Sequence, residues 1–172
     1  MKIKALNVFV FALLLVIWGC RQPKPSVFGV EFGSSYHRTW QILSEWFEPE
    51  NMHEVERSIF VDDVSLGNLK FDYAVFFFQY ENNRSYLHKV VFFAGFGEES
   101  DKASIFEGQL IQKHKEIYRD LTSYDNKDGE RRYKFGTNPK DENEPLGVIT
   151  RRGNSILLIY GPIYYLPKSS DF

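Results

Sequence analysis

FDYAVFFFQY, residues 71–80, is followed by ENNRS, 81–85, and then by YLHKVVFFAGF, 86–96. Long runs of Phe, Tyr and Val suit a pleated surface, where bulky side chains pack against cross-strand neighbours. Between the runs, Asn82-Asn83 can adopt the positive φ of a two-residue hairpin turn. That turn sets Glu81 opposite Arg84, and an unbroken ladder from there fixes two faces. One face carries Phe71, Tyr73, Val75 and Phe77 beside Ala94, Phe92, Val90 and His88; it is read as core. The other carries Asp72, Ala74, Phe76 and Phe78 beside Phe93, Val91, Lys89 and Leu87. It is equally apolar, but its charges Asp72 and Lys89 point to partial exposure.

Working outward, the remaining chain supplies two helices and more strands. Val27 to Phe32 is a short strand, and Gly33-Ser34-Ser35 a break with a serine N-cap. Tyr36, Trp40, Leu43 and Phe47 then fall on one helical face, which ends before Pro49. Ser58 to Val64 is a strand entering the central hairpin through Gly67-Asn68. Beyond Gly97, Ala103, Phe106, Leu110, Ile117 and Leu121 form the stripe of a second helix, with His114 on the same side. Residues 131–135, 146–151 and 155–160 close the chain as strands. The expected fold is α+β and two-layered, with two helices on one face of an antiparallel sheet. Its expected order is β-α-β-β-β-α-β-β-β. Both halves read as a helix followed by three strands.

The 172 residues are 43% hydrophobic and carry a formal charge of -2. That length and composition suit a single domain and argue against disorder. Without a basic cluster there is no footprint for a nucleic acid. Cys20 is the one cysteine, so no internal disulfide is possible.

Met1 to Gly19 reads as a signal peptide. Lys2 and Lys4 precede an apolar run from Ala5 to Ile17, which is short for a membrane-spanning helix of about 20 residues. The run ends Ile17-Trp18-Gly19-Cys20 and resembles the lipobox of bacterial lipoproteins. The resemblance implies cleavage before Cys20, lipidation of Cys20, and attachment to a membrane of the cell envelope. Residues 20–26 then form the lipidated cysteine and its tether, and 27–172 the single domain. Arg21 stands where Asp would mark inner-membrane retention in the enterobacterial pattern, so the outer membrane is the expected location. The opening GVEFGSS and the strand GNLKFDYAVFFF resemble small Bacteroides-type lipoproteins. In outline the order is also similar to the SmpA/OmlA and β-lactamase-inhibitor-protein architecture. Where those proteins act by binding other proteins, the resemblance implies a binding role.

Chemistry-bearing motifs are weak by comparison. His53-Glu54 opens like a zincin motif, but Arg57 occupies the second histidine's place. Asp62-Asp63 alternate across a strand, so they cannot act together as acid and base. Asp125–Gly129 has the composition of a calcium loop in the wrong register, and reads as a surface turn. No catalytic residue, metal site or cofactor is assigned. The expected function is a membrane-anchored, non-enzymatic adaptor or binding module that works through a sheet face or edge, with a protein partner in the envelope. Its candidate surface is the second hairpin face: Asp72, Phe76, Phe78, Leu87, Lys89, Val91 and Phe93. The alternative is a small envelope hydrolase or metal-dependent enzyme built from scattered histidines and carboxylates. Replacing Cys20 with Ala is expected to abolish incorporation of labelled fatty acid, and undiminished label would remove the lipoprotein reading.

Overall fold

The computed structural model describes residues 25–163. The signal peptide, Cys20 and most of the tether lie outside the described residues, as does the aromatic tail at 164–172. Within them the fold is α+β, with two helices and a mostly antiparallel sheet.

Ten strands are seen where seven were expected. The first segment is a tight hairpin, β1 (Ser26–Val27) and β2 (Val30–Glu31), rather than one strand. Helix α1 (Tyr36–Leu43) follows, capped by Ser35, whose hydroxyl accepts from the Arg38 N–H at 3.3 Å. Then come β3 (Met52–Val55), β4 (Ser58–Leu66), β5 (Leu69–Glu81) and β6 (Arg84–Gly95). Helix α2 (Ser100–Ile117) leads into β7 (Thr122–Asp125), β8 (Arg131–Asn138), β9 (Asp141–Arg152) and β10 (Ser155–Tyr160). The strands β3 and β7 were missed because four polar or mixed residues carry little periodicity. Each helix thus precedes a four-stranded meander. The meanders join through β6 and β10 in one sheet of order β3-β4-β5-β6-β10-β9-β8-β7.

Both helices lie against one face of this sheet, the inner face. Phe106 of α2 meets Phe71 edge-on at 5.2 Å and also touches Phe96. Lower on the same helix, His114 packs on Phe135 and Tyr160. From α1, Tyr36 reaches Phe78 at 5.2 Å, and Trp40 stacks on Tyr36. Ile117, expected in the stripe of α2, is exposed because the helix ends there and the chain turns extended at Tyr118.

The Asn82-Asn83 turn is present, with φ of 47° and 62°, and Glu81 does pair with Arg84. The ladder is not unbroken. Phe78 pairs with Leu87 but Phe77 pairs with Lys89, so His88 is one extra residue and β6 carries a bulge. Because side chains alternate with period two, one extra residue exchanges the faces beyond it. At Asp63, whose φ is 51°, and Asp72 opposite it, the β4–β5 ladder keeps its register but both strands change face together. Buried positions step from Val61 to Val64 in β4 and from Phe71 to Ala74 in β5.

The bulge and the paired change of face correct the expected faces. Phe76 and Leu87, assigned to the exposed side, are 0% exposed, and Phe78 is half-buried against Tyr36. Tyr73, Val75 and Phe77, assigned to the core side, face outward with Asp72, Lys89, Val91 and Phe93. Phe71, Val90, Phe92 and Ala94 are core as expected.

The adjacent phenylalanines 76 and 77 separate the two registers. Phe76→Ala is expected to cost about 3–5 kcal/mol, as for a large buried aromatic, and Phe77→Ala much less. Equal shifts in denaturant midpoint, or the reverse order, would restore the unbroken ladder.

Candidate functional site: the outer sheet face

Register pairs place residues of six strands in rows across the face that the helices leave uncovered. One row runs Asp62, Tyr73, Phe93, Leu157, Thr150 and Arg132 from β4 to β8. The next runs Phe60, Val75, Val91, Ile159, Val148 and Lys134. Their apolar members, apart from the buried Val75, are half-buried, as expected for side chains shielded only by neighbours on the same sheet.

The centre of the face is aromatic. Tyr73 and Phe93 stack across β5 and β6 with centroids 5.0 Å apart and planes 12° from parallel, and Phe60 continues the file at 6.1 Å. Such cross-strand pairs stabilise a sheet by up to about 1 kcal/mol each. The Lys89 ammonium lies 4.3 Å from the centre of the Phe77 ring, a cation–π contact.

Charge is distributed at the two ends. On the β4–β5 side, Asp62 accepts from or pairs with His53 Nε2 at 2.9 Å. Asp72 Oδ2 accepts from the Gly95 N–H at 2.8 Å, which seats the carboxylate on the outer face where a Cβ on Gly95 would crowd it. On the β8–β9 side, Arg132 and Arg152 both approach Glu130, at 3.3 and 4.0 Å, and Lys134 lies over Tyr124. The face is therefore apolar in the middle, acidic at one end and basic at the other.

Of the seven residues expected to form the surface, Asp72, Lys89, Val91 and Phe93 are on it. Phe76 and Leu87 are in the core, and Phe78 belongs to the inner side. Missed were Phe60, Tyr73, Val75, Phe77, Val148, Leu157 and Ile159. A polar His88 within the supposed core face was the signal that the ladder slips, and the Asp62-Asp63 pair the signal that β4 changes face.

The histidines are not brought together. His53 pairs with Asp62 on the surface, while His114 is buried under α2. The Leu110 carbonyl can only accept, so His114 Nδ1 carries the proton and donates to it at 2.9 Å. Nε2 then accepts from the Tyr160 hydroxyl at 3.1 Å. Among the described residues no three His, Cys, Asp or Glu side chains stand close enough to hold a metal ion.

Residues 125–129 form the expected turn. Asn126 Oδ1 accepts from the N–H groups of Asp128 and Glu130, at 3.0 and 2.8 Å. Beside it, on the helix side, an open cleft of about 540 Å3 is lined by Glu107, Asp125, Glu130, Arg131, Tyr133 and Arg151. Its central cation is occupied: Arg151 donates to Gly153 O and Ser104 Oγ and lies 3.5 Å from Glu107. The arrangement ties α2 to the β9–β10 turn.

Burial pushes the His88 imidazole down to about 4, with the Lys89 charge adding to the effect. It also lowers His114, against the opposing influence of its bond to Leu110. An unfolded histidine titrates near 6.5, so between about pH 6.5 and 4 the unfolded chain binds more protons than the folded one. The neutral histidines' contribution is complete above that window and is lost as pH falls through it. A thermal midpoint measured across this range is expected to fall, and His88→Gln to flatten the fall. An unchanged slope in that variant would contradict the burial of His88. No protein-family model, curated protein or solved structure matches this chain.

Proposed function

We propose that the chain is a membrane-anchored bacterial lipoprotein of the cell envelope, acting as a non-enzymatic binding or adaptor module through the outer sheet face. The observation that carries the reading is the register itself. It turns Phe60, Tyr73, Phe93, Leu157 and Ile159 outward on the side opposite both helices. A contiguous apolar surface rimmed by charge is the usual mark of an interaction site. Lipid on Cys20, as the lipobox resemblance implies, adds burial energy at about 0.8 kcal/mol per methylene and holds the module at the membrane. In sequence the tether RQPKPS follows Cys20, and its last residue, Ser26, already belongs to β1.

A photo-crosslinking residue placed at Phe93 or Leu157 in cells tests this reading. Adducts of discrete mass are expected there and not from Ile105, an exposed apolar residue on α2 at 61% exposure. No adduct at Phe93 and Leu157, or equal labelling at Ile105, would remove the outer face as the working surface.

A further inference from the structure

We propose that the occupant of the outer face is a second copy of this chain, packed sheet to sheet about a two-fold axis that runs along the strands between β6 and β10. The inference rests on the outer face being the interaction surface and adds the identity of the partner.

The argument is one of charge and position. In the order β4-β5-β6-β10-β9-β8, the line between β6 and β10 has three strands on either side. A half-turn about that line lays β6 over β10, β5 over β9 and β4 over β8. It also keeps every register row in place. Asp62 and Arg132 belong to one row, so Asp62 of each copy comes to lie over Arg132 of the other. Asp72 is bound to Gly95, and Gly95 shares its row with Ser155 and Arg152, so Asp72 lies over Arg152. Between these four contacts, Phe93 of each copy meets Leu157 of its partner. An isologous interface requires this self-complementarity, in which residue i meets j and j meets i.

Of the remaining outer-face charges, Lys89 of β6 opposes the match, since the half-turn brings it near Lys89 of the other copy. Its seat over Phe77 offsets part of that repulsion. Glu130 neutralises one of the three cations Arg132, Lys134 and Arg152, leaving the basic end positive. Lys70 lies two positions beyond Asp72, past the row that holds it. Two sheets pack about 10 Å apart with strand directions within about 30° of each other. An axis along the strands sets the two copies' strands parallel, inside that range and with the twist of both sheets nested. Six strands about 4.8 Å apart give a footprint on the order of 500 Å2 in plan, so the dimer is expected at the small end of specific interfaces. An anionic lipid surface would want one sign of charge across the face. The acidic end opposes it.

Sedimentation velocity on the full-length chain in nonionic detergent is the test. The unmodified chain is expected to be dimeric, with dissociation promoted by salt. Asp62→Arg and Arg132→Asp, each alone, set like charges against each other twice per dimer and are expected to give monomers. An equimolar mixture of the two variants restores both opposite-charge contacts, and the dimer should return. That recovery also proves that both variants are folded. A monomeric parent chain overturns the inference, as does a mixture that stays monomeric. If Phe93 crosslinks to a different protein or to lipid while the chain is monomeric, self-pairing alone is wrong. If Phe93 crosslinks to nothing, the surface reading falls as well.

Discussion

The extra residue at His88 is the constraint on which the rest of the sheet depends. Up to Val90, the far edge of β6 is paired with β10. At His88 the carbonyl accepts from Ile163 N at 2.8 Å, and at Leu87 the backbone exchanges bonds with Gly33 and Ser34, also at 2.8 Å. One strand edge therefore serves the second meander, the chain after β10 and the segment before α1 in succession. The bulge makes that change of partner possible because it displaces the backbone locally and increases its twist. Gly161 is fitted to the same place. Its φ is 87°, and a Cβ there would lie 2.3 Å from the His88 carbonyl oxygen.

Packing follows from that geometry. Phe76, Phe92, Ile149, Ile156 and Leu158 are completely buried along the inner face where the meanders meet, so the two halves share one core. The His114–Tyr160 hydrogen bond stands within a cluster of Phe135 and Tyr118 and joins α2 to the second meander. A buried imidazole is tolerated there because both ring nitrogens have partners, which removes most of the penalty for leaving water.

Much of this was legible in the residues. The Asn82-Asn83 turn, the Ser35 cap, the buried stripe of α2 and the α+β class follow from local chemistry: positive φ, a serine oxygen and a helical period. What was not legible is long-range. The bulge is fixed by backbone bonds to Ile163 and Gly33, residues 75 and 55 positions away from His88, and no local propensity at His88 announces them. The same one-residue slip explains why an aromatic outer face was anticipated while Phe76, Phe78 and Leu87 were misassigned to it. Phe76, Phe77 and Phe78 are chemically identical, so only the register decides which of them meets water.

The choice between a sheet face and a sheet edge as the interaction surface turns on how the edges are built. Both edge strands, β3 and β7, are only four residues long, which leaves a short run of unpaired backbone groups for another strand to join. Beyond β3, the free edge of β4 is distorted by the positive φ of Asp63. Beyond β7, the Gly136 N–H of β8 is satisfied by the Asp120 carboxylate at 3.1 Å. Edges so shortened, bent and capped do not favour strand addition. The outer face has none of these devices. Its charges sit at opposite ends of its rows, and its middle carries rings and aliphatic side chains that water solvates poorly. What makes the edges poor templates leaves the face as the part of this sheet that gains most from being covered.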